Sequence, residues 1–136
     1  MIESFNELNI VARTIYGEAR GEPFKGQVAV AHVIFNRVVA GKYGIGPIGV
    51  CQKNLQFSCW NQNDPTYHDM TRATLTDPAL RKATEAVLLA IYERPMYTLE
   101  NCTHYFAETM PAFPRWAQGK TPALVVGRHL FFNDID

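Results

Sequence analysis

The chain has 136 residues, 47% of them apolar and 19% charged, which is enough for one core and too apolar for a disordered chain. Thirteen Lys and Arg balance thirteen Asp and Glu, so no basic surplus draws the chain to nucleic acid or an anionic membrane. No apolar run approaches the ~20 residues that span a bilayer.

No Ser/Gly linker, charge block or repeat divides the sequence, and a single domain over residues 1–136 is expected. The first helix opens at Ser4 with Glu7 in capping-box spacing. Phe5, Leu8, Ala12, Ile15 and Ala19 then recur at helical intervals, and Gly21 and Pro23 stop it. A second helix is expected from about Phe24 to Ala40, ending at Gly41. It is apolar on nearly every side, as a helix in the middle of a domain is. Its one polar row is Lys25, His32 and Asn36, on a face shared with Ala29.

Residues 41 to 71 are rich in Gly and Pro without a sustained period, and read as one long functional loop. Asp77 and Pro78 supply an N-cap and first-turn proline for a third helix, with Leu80, Ala83, Val87 and Ile91 inward, stopped before Pro95. Short strands follow at His104–Phe106, Leu124–Val126 and His129–Phe132, the last two turning at Gly127 and Arg128. The fold class expected is α+β: mostly helical, with a small antiparallel β-sheet in the C-terminal part. Cys51, Cys59 and Cys102 form no CxxC pair and leave one over, which suits reduced, structural cysteines.

Glu18 is the first residue with a chemical reading. The row Leu8, Val11, Ile15, Glu18 advances by three and four, so the carboxyl continues an apolar stripe. Partial desolvation there would raise its pKa and suit it to general acid catalysis on a glycosidic oxygen. A position at a fraying helix end, paired with Arg20 or Arg37, satisfies the same pattern. Glu22 is a natural second carboxylate, although Gly21 and Pro23 take it off the helix. Asp64 and Asp69 could serve a two-carboxylate mechanism, and an Asp-Pro turn accounts equally for Asp64.

His32, His68, His104 and His129 include no HExxH and no close pair, so no metal site is expected and no cofactor is implied. A Cys-His hydrolase on Cys51 or Cys59 with His104 or His129 is permitted without specific support. Phe57 and Trp60 in the Gly-rich loop, with Tyr67, Tyr105 and Trp116, could line a groove for sugar rings, and each alone could equally be core packing.

Residues 17 to 37, GEARGEPFKGQVAVAHVIFNR, closely resemble the signature of the SleB/CwlJ-type cell wall hydrolases, which include spore cortex-lytic enzymes and phage relatives. QFSCW at 56–60, HYF at 104–106 and VVGRHLFF at 125–132 agree in order and spacing, so the resemblance spans most of the chain. It implies a lysozyme-like core related to lytic transglycosylase domains, cutting peptidoglycan strands between N-acetylmuramic acid and N-acetylglucosamine. The first acid of the GEARGE motif is the family's catalytic glutamate, here Glu18. One glutamate suffices for a lytic transglycosylase, which leaves a 1,6-anhydro end; a hydrolytic muramidase usually wants a second carboxylate. The same resemblance places His32 and Asn36 beneath Glu18 at the cleft, Phe57, Trp60 and Tyr105 as its aromatic walls, and His129 as a group orienting Glu18 or a substrate amide; a simple core role for His32 and Phe57 fits the residues equally.

MIESFNELNI has neither the basic nor the apolar region of a signal peptide. The expectation is therefore a phage endolysin, made in the host cytoplasm and reaching the wall or periplasm when a holin opens the membrane. The partners expected are peptidoglycan strands, with no nucleic acid, no membrane insertion and a monomeric chain. A metal- or Cys-dependent amidase or peptidase, and a glycan-binding module without catalysis, are the competing classes.

Overall fold

A computed structural model describes residues 1–54 and 56–135. Helix α1 (Phe5–Ala19) starts where the Ser4 hydroxyl accepts the Glu7 N–H at 3.1 Å, and the Glu7 carboxylate accepts the Glu3 N–H. Helix α2 (Phe24–Ala40) closes on Gly41, whose φ of +76° is the left-handed cap that glycine adopts without strain. From Gly26 to Arg37 every residue of α2 is buried. That follows from its all-round apolarity and makes it the central post of the domain.

The segment expected as one loop carries two short helices, α3 (Gly46–Gln52) and α4 (Tyr67–Arg72), and a 3₁₀ turn at Ser58–Trp60. Neither helix reaches two full turns, too few residues for a periodic signal. Helix α5 (Pro78–Glu93) is capped by Asp77, which accepts the Ala79 N–H at 2.8 Å and the Tyr16 hydroxyl at 3.2 Å. It packs against both α1 and α2, with Leu80, Ala83, Ala86, Val87 and Ala90 turned inward.

Strands β1 (His104–Ala107), β2 (Leu124–Val126) and β3 (His129–Phe132) form an antiparallel sheet in the order β1-β3-β2. Tyr105 pairs with Phe131 and Ala107 with His129. The strand period of two therefore puts these four on one face. Phe106, Leu130 and Phe132 point the other way, into a small second cluster with Ala117 and Trp116. Helices outnumber strands and the sheet closes one side, so the fold is α+β with a lysozyme-like core.

Two glycines set close approaches. A Cβ on Gly17 would stand 2.6 Å from Cys59 Cβ, so the bare backbone lets the Ser58–Trp60 turn press against α1 beside Glu18. Gly127, with φ +59°, makes the β2–β3 turn, and a Cβ there would meet Glu22 Oε1 at 2.7 Å.

Candidate active site

Between α1, α2 and the inner face of the sheet lies a cleft of three joined compartments. The first, about 200 Å³, is lined by Glu18, Glu22, Thr109, Arg128 and His129. The second, about 290 Å³, adds Arg37, Gln56, Phe57, Tyr105 and Met110. The third, about 280 Å³, runs on past Arg37 and Tyr105 to Tyr43, His104 and Trp116. Glu18 and His129 belong to the first two, and Arg37, Gln56 and Tyr105 to the last two.

Glu18 sits where α1 nears its end, half-buried. The Tyr105 hydroxyl donates to its Oε1 at 3.1 Å, across 87 residues of sequence. Burial pushes its pKa up; hydrogen bonds from Tyr105 and from the Cys59 thiol and backbone N–H pull against that and lose. Tyr105 is itself held protonated, its pKa raised well above the usual phenol by burial and by Glu18.

Neither arginine of the ion-pair alternative reaches Glu18. Arg20 faces Asp69 at 3.7 Å and stacks 4.7 Å from the Tyr16 ring centre. Arg37 donates Nε to the Thr103 carbonyl at 2.7 Å and Nη1 to Gln56 Oε1 at 3.4 Å. Among the described residues no cation stands within 4.0 Å of Glu18. A carboxyl with only neutral donors in a half-dry cleft keeps its proton to higher pH than an exposed one.

The other acids are held elsewhere. Glu22 is 5% exposed, and its carboxylate accepts the Arg128 backbone N–H and Nε, each at 2.9 Å, with Nη2 at 2.9 Å. Burial works to raise its pKa, but the Arg128 bonds outweigh burial and hold it below the usual range. Asp64 accepts the Thr66 hydroxyl at 2.6 Å and the Thr66 N–H at 2.9 Å, which lower its pKa.

The structure brings together four of the expected site residues: Glu18, Phe57, Tyr105 and His129. It separates three. His32, fully buried, points toward α5: its Nε2 stands 2.8 Å from Glu93 Oε1, and Nδ1 stands 3.3 Å from Arg94 Nη1. Burial lowers its pKa, so the neutral ring donates to Glu93 and accepts from Arg94. Asn36 donates to the carbonyls of Thr98 and Cys102, each at 2.8 Å, and accepts from Arg94. His32 lines a separate cavity of about 250 Å³ with Lys25, Leu89 and Tyr97, which shares no residue with the cleft. The placement of His32 and Asn36 beneath Glu18 is thus corrected. The row is real, but on a helix buried all round its spacing does not say which neighbour it faces.

Trp60 is also outside the cleft lining; its indole N–H donates to the Thr14 hydroxyl at 2.9 Å, tying the turn to α1. Arg37, Gln56, Tyr43 and His104 were missed as cleft residues, since only the folded chain joins α2, the turn region and β1. The aromatic content near Trp116 was the one signal pointing there.

The thiol alternative finds no support in the cleft. All three cysteines are free and buried. Burial pushes Cys51 up to about 12 and Cys102 up to about 11, and moves Cys59 higher still, so each stays a protonated, poorly nucleophilic thiol. Among the described residues no three His, Cys, Asp or Glu groups stand close enough to hold a metal ion.

An α+β domain with one raised carboxyl in the middle of an open, aromatic-walled groove is built as a glycosidase-type catalytic domain. Residues 21–132 match the Cell Wall Hydrolase family, and the chain belongs to it. That match begins three residues after Glu18. A spore cortex-lytic enzyme of Bacillus subtilis (strain 168) is 33% identical over 128 residues, 94% of this chain. The chain spans only 38% of that relative's length. The catalytic domain of the germination-specific lytic transglycosylase SleB from Bacillus anthracis superposes with a TM-score of 0.73 at 31% identity, covering 96% of this chain and 97% of that one. The Bacillus cereus SleB catalytic domain gives 0.76 at 29% identity, covering 97% and 93%.

Proposed function

We propose that the chain cleaves peptidoglycan strands at the N-acetylmuramic acid–N-acetylglucosamine bond as a lytic transglycosylase with Glu18 as its single acid. The observation that carries this is the Glu18 carboxyl, raised by burial and touched only by neutral donors, at the junction of two cleft compartments. Glu18 gives its proton to the glycosidic oxygen as the C–O bond breaks. The resulting carboxylate then takes the proton of the muramic 6-hydroxyl as that oxygen bonds to the anomeric carbon. The proton count balances: Glu18 ends protonated and no water is consumed. Tyr105 steadies the carboxyl through both steps, since its hydroxyl donates to the ionised form most strongly.

A hydrolytic muramidase on the same bond would need a carboxylate free to activate water. Glu22, the nearest acid along the chain, gives its lone pairs to Arg128, and this favours the transglycosylase. Mass spectrometry of fragments released from purified peptidoglycan decides between them. Anhydro-muramic ends that vanish in Glu18→Gln are expected. Reducing muramic ends would move the reading to a muramidase, and cut stem peptides on intact glycan would overturn both.

The proposal includes the biological setting of a phage endolysin released through a holin. Co-expression in a bacterium tests it: lysis that depends on the holin is expected, and rapid lysis by the chain alone would contradict it.

A further inference from the structure

The cleft arm farthest from Glu22 has a chemistry of its own. Its lining, Arg37, Tyr43, Gln56, His104, Tyr105 and Trp116, includes no acidic side chain. Arg37 is 8% exposed, yet among the described residues no carboxylate lies within 4.0 Å of it. Its partners are a carbonyl, an amide oxygen and two aromatic rings, Tyr43 and Phe57, each centred 5.2 Å away. Holding a cation out of water with only neutral partners is unfavourable, and a ligand that brings the anion offsets it.

A second cation stands beside that lining without being part of it. Lys42 is exposed, with Nζ 5.7 Å from the Tyr43 ring centre. His104 adds surface without charge: burial first, then Arg37 and Lys42, bring its pKa down to about 4. Its ring lies 4.9 Å from Trp116 and 5.8 Å from Tyr43. Flat aromatic faces beside two cations fit a pyranose that carries both a C–H face and an acidic side group.

We infer that the Arg37–Tyr43–His104–Trp116 arm is a subsite for an N-acetylated pyranose bearing a carboxylate, with Trp116 against the ring and Arg37 and Lys42 on the carboxylate. This rests on the glycan-cleaving reading above and specifies which sugar the far arm takes. On a peptidoglycan strand the carboxylate has two sources: the 3-O-lactyl group of a peptide-free muramic sugar, or the acidic residues of an attached stem peptide.

Steady-state cleavage of peptide-free and peptide-bearing strands, by the wild type, Lys42→Gln and Trp116→Ala, tests the inference. N-acetylglucosamine tetramer, which has no carboxylate, serves as a competing ligand. Lys42→Gln should raise KM about 2–5-fold, with kcat moving far less, and should leave inhibition by the tetramer unaltered. A rise on peptide-free strands assigns the lactyl carboxylate, and a rise confined to peptide-bearing strands assigns the stem peptide. Trp116→Ala should raise KM roughly tenfold and weaken the tetramer as well. Trp116→Phe, which keeps the packing on Phe106 and Phe132, should restore most of both. KM unchanged on both strand types in Lys42→Gln, with cleavage intact, would overturn the subsite and leave the glycosidase standing. No cleavage of either strand by the wild type would overturn both.

Discussion

Glu18 and Glu22 stand four residues apart in one motif, line the same compartment, and are driven in opposite directions. Glu18 stays on the helix, where burial raises its pKa against the pull of neutral donors. Glu22, carried off the helix by Gly21 and Pro23, meets Arg128 on three nitrogens and is held ionised. The difference lies in the neighbours, not the side chain. A carboxyl without a cation can donate a proton, whereas one locked to a guanidinium can only brace the turn that bears His129. Two acids whose surroundings push their pKa values apart thereby take two roles.

The contrast is broken most severely at Glu18. Glu18→Gln should lower the cleavage rate on peptidoglycan by about 10²–10⁴-fold, the usual contribution of a general acid. It should not destabilise the fold. A group whose folded pKa is raised stabilises below its unfolded pKa and loses that contribution as pH rises through the folded value. Thermal unfolding at pH 7 should therefore show Glu18→Gln at or above the wild type in Tm.

Asn36→Ala should behave in the opposite way. It removes three hydrogen bonds from a side chain that is nearly sealed from water. A stability loss of roughly 2–5 kcal/mol in urea unfolding is expected, with the folded fraction keeping its kcat. A lost kcat with full stability would return Asn36 to the site.

At Glu22 the effect is smaller and pH-dependent. Glu22→Gln should cost about 1–3 kcal/mol at neutral pH. A lowered folded pKa gives stability that is present above the unfolded value, about 4.3, and fades as pH falls through the folded one. The wild type and Glu22→Gln should therefore converge in Tm on acidification. The smallest change is Tyr105→Phe. It removes a hydrogen bond that lowers the Glu18 pKa, so the limb on which kcat/KM falls with rising pH should move upward. A shift of at most about one pH unit and a rate loss of a few-fold are expected.

Much of this was legible in the sequence where local physics decides. The ends of α1, α2 and α5 follow from Ser4, Gly21, Gly41 and Asp77–Pro78, and the strands from runs of aromatic and branched residues around Gly127. Glu18 was legible because its stripe, Val11 and Ile15, is fully buried in the fold. Helices α3 and α4 were not, being too short to repeat a pattern. The direction of the His32 row was not either, because a helix apolar on all sides carries no azimuthal signal. The cationic arm escaped for a different reason: Arg37, Gln56 and His104 lie on separate segments and become neighbours only when the sheet closes over α2.

A carboxyl ¹³C NMR titration of Glu18 and Glu22 in the wild-type protein tests the account most directly. Glu18 should titrate above an ordinary glutamate and Glu22 below it, in the same sample. Glu18 titrating at or below the ordinary range, or Glu22 above it, would contradict the assignment of the acid.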